Sequence, residues 1–386
     1  MDDKKTRIGV VGCGKRVEQV LQGFLNITDN VQITAICDPS KDSIESFCKK
    51  FSIMPVVYED HRALSNSADV DWVMVGSWNC FHLEHVKAAF EAGKNVFCEK
   101  PLATNASDCI ELYNAWKASS SKFMIGFTLR YSPHYQKIKE VINLGIIGNP
   151  ISLEFNETLD FNHGGYIMGG WRSQRDKAGT HLLEKCCHDM DVVNWLIQSR
   201  PVMAASFGGL DVFKPENSGI VDELKCSADN KKPFHSWGQT ANPFTNFKDL
   251  VDNQVAIIQY QNGTRATFHT NCCSGIPERR MYIIGDKGCI RSDAIEGKIE
   301  YRRIGFDEEF VDVSTSAKGS HAGGDEYLCK CLKELFDGES EPQTSMYDAI
   351  VSAATCFGID AALDEGCVYN YAGIWQQMED VFKDLG

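Results

Sequence analysis

The chain has 386 residues, 43% of them hydrophobic and 24% charged, with 32 Gly and 11 Pro. This is ordinary globular composition, and it excludes a collagenous, disordered or small disulfide-stapled chain. Its 39 basic residues against 53 acidic ones leave a net charge of −14, which disfavours nucleic acid and anionic membranes as partners. No apolar run approaches the ~20 residues that cross a bilayer, and the start leads into a strand with no signal-peptide core. A soluble, cytoplasmic protein is therefore expected. The 16 cysteines include no C-x-x-C pair and read as reduced, buried, small apolar residues. No metal site is expected: Cys186-Cys187 beside His188 lacks the one-turn separation that zinc ligands favour.

Strand and helix signals alternate through the first 125 residues. A short β-branched run at residues 7–11 ends in Gly12-Cys13-Gly14, and Val17, Val20, Leu21 and Phe24 follow at helical spacing. Residues 32–37 form a second strand ending at Asp38-Pro39, and residues 72–75 a third ending at Gly76-Ser77. A helix over residues 82–92 stops at Gly93, a strand at residues 95–98 runs into Glu99-Lys100-Pro101, and a further helix and the strand 123–126 close the series. Apolar strands alternating with helices predict an α/β domain with a doubly wound parallel sheet.

From about residue 151 the strands lengthen and alternate polar with apolar, at 151–158, 255–261, 265–271 and 280–285, with Asn262-Gly263 marking a hairpin. This predicts an α+β region with a large, mostly antiparallel open sheet. Residues 213–252 read as an excursion over the surface or site, and residues 345–365 as an Ala-rich helix.

Three groups of residues carry candidate chemistry. Gly12 and Gly14 lie where a pyrophosphate meets a helix N-terminus, although Val17 stands in the third glycine position. Asp38, 24 residues after Gly14, can accept the ribose hydroxyls and would repel a 2′-phosphate, which favours NAD over NADP. Lys100 sits at the carboxyl end of its strand, where it can donate to a reacting oxygen. In an ideal helix Glu184, His188 and Asp191 fall within an arc of roughly 60°, so His188 is a candidate general base flanked by carboxylates.

The ordered set Gly12-x-Gly14, Asp38, Asn79-x-x-His82, Ala92 to Pro101 and Glu184…His188…Asp191 resembles the glucose–fructose oxidoreductase / inositol dehydrogenase / MocA family across nearly the whole chain. The segment Arg130-Tyr131-Ser132-Pro133 is similar to that family's link between domains. The resemblance implies an N-terminal Rossmann domain (1–126) and a C-terminal substrate-binding and oligomerisation domain (127–386). It implies hydride transfer between NAD and a secondary hydroxyl of a sugar, cyclitol or derivative. Carried over by position, Lys100 and His188 are catalytic and Glu184 stands where the family usually has Asp. Ser77, Trp78, Asn79, His82, Glu99 and Lys100 line the cofactor, with Ser77-Trp78 replacing the usual Thr-Pro. Arg130, Tyr131, Arg172, Lys185 and His321 are further candidates for the substrate. An NAD-dependent glycosidase working by transient oxidation and elimination, and a non-enzymatic NAD-binding sensor, are the alternatives. The expected partners are a small carbohydrate or polyol and further copies of the chain, as a dimer or tetramer. Cys98, Cys186 and Cys187 adjoin the proposed catalytic groups, so thiol sensitivity is also expected.

Overall fold

The computed structural model describes residues 5–225, 234–238, 241–319 and 321–379. The chain divides into two compact units, one of Met1–Tyr131, Gly323–Ala353 and Met378–Gly386, the other of Ser132–Ala322 and Ala354–Gln377. The first unit thus runs past residue 126 and includes two later stretches of chain.

In the first unit β1 (Thr6–Val11), β2 (Val31–Cys37), β3 (Val56–Val57), β4 (Trp72–Val75), β5 (Asn95–Cys98) and β6 (Phe123–Ile125) form one parallel sheet, ordered β3-β2-β1-β4-β5-β6. Helices α1 (Lys15–Leu25), α2 (Lys41–Phe51), α3 (His61–Ser65), α4 (His82–Glu91) and α5 (Ala106–Ala118) connect the strands. The central strands are apolar on both faces because helices cover both; all four residues of β4 are buried. The edge strand β3 escapes sequence reading, being two exposed valines. The order reverses between β1 and β4, which pair Val11 with Val75. Ligands of such sheets bind at that switch point.

The second unit opens with α6 (Pro133–Asn143), followed by β7 (Pro150–Asp160), α7 (Phe161–Met168) and α8 (Arg175–Ala178). A π-helical turn, Leu182–Cys186, leads into α9 (Cys187–Ile197). Then come β8 (Pro201–Gly209), α10 (Ile220–Lys225), β9 (Asn253–Tyr260), β10 (Arg265–Ser274), β11 (Arg280–Gly285), β12 (Gly288–Asp293), β13 (Lys298–Arg303) and β14 (Val311–Asp312). With the late strand β15 (Tyr369–Asn370) they form a nine-stranded sheet in which β10 pairs in parallel with β7 and the other neighbours are antiparallel. Strand alternation leaves one face bare: β9 alternates strictly between buried and exposed residues, and its Val255 and Ile257 stand outward beside Phe207 of β8.

The excursion 213–252 lies partly outside the described residues, at 226–233 and 239–240. Its ends are tied together by Asp252, whose carboxylate accepts the N–H groups of Asp211, Val212 and Phe213 at 2.8 Å each. Phe213, Phe244 and Leu250 pack with Leu159, Ile167 and Met168 in a separate apolar cluster.

Three helices close the chain: α11 (Gly324–Phe336), α12 (Met346–Glu365) and α13 (Ala372–Gln377). Leu328, Leu332, Leu335 and Phe336 of α11 join the first unit's core, where Phe336 stacks on Trp72 with centroids 4.2 Å apart. Helix α12 corrects the expectation about apolar runs. At 20 residues and a mean hydropathy of 1.3 it is long and apolar enough to cross a membrane, yet 72% of that window is buried in protein. Ala, Cys and Gly among its larger apolar residues make it a core helix apolar on every side.

Candidate functional site

In the first unit the chain turns at Gly12 with φ +91°, where an added Cβ would lie 2.5 Å from the Ser77 nitrogen, so only glycine fits. Gly14 is different. Its φ of −85° suits any residue, and an added Cβ would meet protein only at the Gly76 carbonyl, 3.8 Å away. The fold leaves this space unfilled at the N-terminus of α1, where a pyrophosphate would be bound by N–H groups and the helix dipole. Val17, the departure from the fingerprint, packs on Gly76: a Cβ there would stand 2.8 Å from the Val17 Cβ. The close approach usually given by a third glycine on the helix is thus supplied by a glycine on the opposing loop. Asp38 follows β2 with Oδ2 accepting the Cys13 N–H and Oδ1 the Ser40 N–H, both at 2.8 Å. Each oxygen keeps a lone pair for a ribose hydroxyl. These residues fit a dinucleotide.

Ser77, Trp78 and Asn79 leave β4 beside this turn. Ser77 Oγ lies 2.8 Å from His85 Nδ1, Trp78 is 42% exposed, and Asn79 is buried at the start of a short 3-10 turn. Lys100 is half-buried at the carboxyl end of β5 and joins Pro101 through a cis bond. His82 is fully buried beneath it, with Nδ1 2.7 Å from the Pro101 carbonyl and Nε2 3.2 Å from that of Ser77. Burial, reinforced by the Lys100 charge, lowers its pKa. A neutral ring has one proton, which goes to the nearer acceptor, Pro101. His82, expected along the cofactor, therefore fastens the loop that carries Lys100. Glu99 is 5% exposed and accepts Arg16 Nε at 3.0 Å. Arg16 also reaches Asp325 at 2.7 Å and Thr128 at 2.8 Å. Burial opposes its charge, but Glu99 and Asp325 outweigh that and hold its pKa above the usual value.

In the second unit His188 is 3% exposed on the first turn of α9, its ring 5.7 Å from that of His321. The π-turn before it winds wider than an α-helix, a device frequent at functional sites, so the angular spacing expected between Glu184 and His188 does not apply. Glu184 Oε1 accepts Arg172 Nε at 3.0 Å, and the Arg172 guanidinium lies over Trp171 at 4.3 Å and Tyr166 at 4.6 Å. Lys185, expected to meet substrate, is 7% exposed with Nζ 3.2 Å from Glu157 Oε1. Arg279 completes that network, 2.7 Å from Glu157 and bidentate to Asp189 at 2.8 and 2.9 Å. A cation so deeply buried needs a carboxylate partner, which explains why Lys185 turns inward. Burial raises the Glu157 pKa, with Arg279 and Lys185 opposing it.

Arg130 and Tyr131 also serve the framework rather than an open surface. Arg130 Nη2 pairs with Asp348 at 2.7 Å and the Tyr131 hydroxyl lies 2.9 Å from Thr344 Oγ1. Arg175 likewise grips Asp364, at 2.6 and 3.0 Å. The expected thiol sensitivity at Cys98, Cys186 and Cys187 is not favoured either: all three are buried, and burial pushes the Cys98 and Cys186 thiols well up. The thiolate is the reactive form. The described cysteines are all free.

Arg16, Glu157 and Arg279 went unnoticed in the sequence. Glu157 lies in the buried half of β7 between the polar Asn156 and Thr158, which hid it in the sequence. Arg279 follows the turn Ile276-Pro277-Glu278 and carried no signal.

The strand order with its reversal, the glycine turn and the acid closing β2 define a dinucleotide-binding α/β fold of the Rossmann type. The chain belongs to the Gfo/Idh/MocA oxidoreductase family: residues 6–127 match its NAD-binding Rossmann fold and residues 139–355 its C-terminal alpha/beta domain. It is 27% identical over 224 residues to an inositol 2-dehydrogenase/D-chiro-inositol 3-dehydrogenase of Lactiplantibacillus plantarum, covering 57% of this chain and 59% of that one. With the inositol 2-dehydrogenase of Klebsiella pneumoniae it shares 33% over 195 residues, 50% of this chain and 54% of the relative. The matched stretch thus spans between half and three-fifths of these relatives. Among solved structures, levoglucosan dehydrogenase in complex with NADH and levoglucosan is similar with a TM-score of 0.78 at 17% identity, covering 96% of this chain and all of that one (100%).

Proposed function

We propose that this protein is an NAD-dependent dehydrogenase that oxidises a secondary hydroxyl of a sugar, cyclitol or sugar derivative. Gly12 and Gly14 hold the pyrophosphate, Asp38 the adenosine ribose, and Ser77, Trp78 and Asn79 the nicotinamide end; Asp38 favours NAD over NADP. When bound, the nicotinamide supplies the acceptor for the hydride that leaves the carbinol carbon. His188 takes the hydroxyl proton at a ring nitrogen. The Lys100 ammonium stabilises the charge that develops on oxygen as the carbonyl forms. Glu184, already tied to Arg172, positions the groups around His188, and Arg172 and His321 are the polar contacts for substrate hydroxyls. What carries the reading is Lys100, held at the carboxyl end of β5 on the same sheet edge as the glycine turn. The names of the inositol and levoglucosan relatives support the substrate class. The exposed apolar row Phe207, Val255 and Ile257 on the open face of the nine-stranded sheet supports a homo-oligomer.

The test is nicotinamide reduction across inositols, free sugars, polyols and glycosides, with NAD and with NADP. Reduction of NAD by a free polyol or sugar is expected. Glycoside cleavage without net NADH, or nucleotide binding without turnover of any member, would overturn the reading in favour of the glycosidase or the sensor.

A further inference from the structure

His61, Glu84 and His85 meet in the first unit, outside every motif that the sequence displays. His61 begins α3, while Glu84 and His85 lie in the first turn and a half of α4. One ligand atom from each lies within 4.8 Å of the others, and the two imidazoles stand edge to face with centroids 4.5 Å apart. His61 is 9% exposed, and its Nε2 is buried without a hydrogen-bond partner among the described residues. The Glu84 side chain is 46% exposed and forms the solvent side of the group.

The Nδ1 side of each ring faces an oxygen. His85 Nδ1 lies 2.8 Å from Ser77 Oγ, and its Nε2 is 3.5 Å from Glu84 Oε1. His61 Nδ1 faces Asp60 Oδ1 at 3.5 Å. In the tautomer that puts each ring proton on Nδ1, both Nε2 atoms present lone pairs, and Glu84 adds a carboxylate. Three electron-pair donors brought together repel one another unless something positive lies among them. A divalent cation satisfies all three at once, and histidine ligands held by an oxygen on the other ring nitrogen are the usual arrangement at metal centres. Two imidazoles and one carboxylate suit zinc and its neighbours, whereas magnesium and calcium prefer oxygen donors alone. Ligand atoms about 2 Å from such an ion require the three to draw closer, and the exposed Glu84 chain can make most of that movement.

We propose that His61 Nε2, His85 Nε2 and the Glu84 carboxylate form a site for a zinc-class divalent metal, with its remaining position open to water. The ion would join α3 to α4. Because His85 also meets Ser77 Oγ, occupancy would fix the chain leaving β4, one hydrogen bond from the residues proposed to take the nicotinamide end. The site does not depend on the proposed dehydrogenase activity.

The test is titration of the full-length chain, first with Co2+ and then with Zn2+, with Mg2+ as the control. One equivalent should bind, giving Co2+ ligand-field bands without a thiolate charge-transfer band, and Zn2+ should displace it while Mg2+ does not. Glu84→Ala, at an exposed position, should weaken binding at least tenfold, and His61→Gln and His85→Gln should remove that equivalent. A thiolate band would place the ion on cysteine and overturn the proposal. So would Glu84→Ala binding as tightly as the parent, and this surface variant keeps the test decisive should the histidine variants fail to fold. A second readout is thermal: Zn2+ should raise the Tm of the parent chain but not of Glu84→Ala, and an equal rise in both would also overturn it.

Discussion

Arg279 grips Asp189 through two hydrogen bonds, 2.8 Å from Nε and 2.9 Å from Nη2, and Asp189 is the residue directly after His188. The same guanidinium lies 2.7 Å from Glu157, which Lys185 approaches at 3.2 Å. Two carboxylates and two cations thus neutralise one another beneath the first turn of α9. Removing one member leaves a buried charge without its counterpart, which costs about 3–5 kcal/mol. Arg279→Met should therefore lose stability on that scale in denaturant unfolding. Arg279→Lys restores the charge but not the fork, and should recover part of the stability while lowering kcat more than it changes KM. Unchanged kcat in a folded Arg279→Lys chain would show that the pair supports the fold alone.

The two glycines of the nucleotide turn should respond differently to one added methyl group. At Gly12 an alanine meets φ +91° and the Ser77 backbone at 2.5 Å, so Gly12→Ala should destabilise the protein by at least about 1–2 kcal/mol. At Gly14 the methyl has room, with 3.8 Å to its one near neighbour. Gly14→Ala should leave Tm within the small range of surface substitutions yet weaken NAD binding at least tenfold in calorimetry. Full NAD affinity in Gly14→Ala would remove the pyrophosphate from this space.

Lys100→Ala and His188→Ala should each lower kcat by about a hundredfold or more, the scale of proton transfer by a positioned group. NAD affinity should change little in His188→Ala, whose position lies outside the dinucleotide-binding unit. Near-normal turnover in either variant would withdraw that residue's role.

The exposed row on the sheet offers a test of assembly. Phe207 pairs across the ladder with Val255, and the three residues Phe207, Val255 and Ile257 are 71%, 44% and 59% exposed. An aspartate at Ile257 puts a charge into this row, which an apolar interface cannot accept without desolvation cost. Ile257→Asp should shift the sedimenting species towards monomer with unchanged circular dichroism, whereas an unaltered oligomer would move the interface elsewhere.

Much of this fold was legible because local periodicity and backbone chemistry set it. The parallel strands were visible as short apolar runs, and Gly12, Gly93 and Asn262-Gly263 marked real turns, with φ +91° and +68° at the first two and a β9–β10 hairpin at the third. Lys100 and His188 stand out as candidates only as members of an ordered pattern. Long-range pairing was not legible. Nothing local tells Lys185 to turn towards Glu157 rather than solvent, or Arg16 to tie Glu99 to Asp325, since each depends on charges that the chain brings together from far away. The π-turn at Leu182–Cys186 was not legible either: the expected spacing follows ideal α-helical geometry, and no residue in the segment signals the wider turn.

His134 gives the clearest pH prediction. It lies fully buried on α6, and neither ring nitrogen has a hydrogen-bond partner among the described residues. Burial lowers its pKa from 6.5 to about 4. The unfolded chain therefore takes up a proton as pH falls through 6.5, while the folded chain does not until about pH 4. Between those values the unfolded state binds more protons, so this residue makes stability fall with falling pH, by about 1.4 kcal/mol per unit and about 3 kcal/mol in all. Buried Asp360, whose carboxyl burial raises to about 6, acts in the opposite sense over much of the same window, so the parent slope alone does not isolate His134. The comparison with His134→Leu does. That variant also removes two polar atoms from an apolar site, and should be more stable at pH 7 and gain a growing advantage down to about pH 4. A constant difference between the two chains over that range, measured by urea unfolding, would show that His134 is protonated in the folded protein.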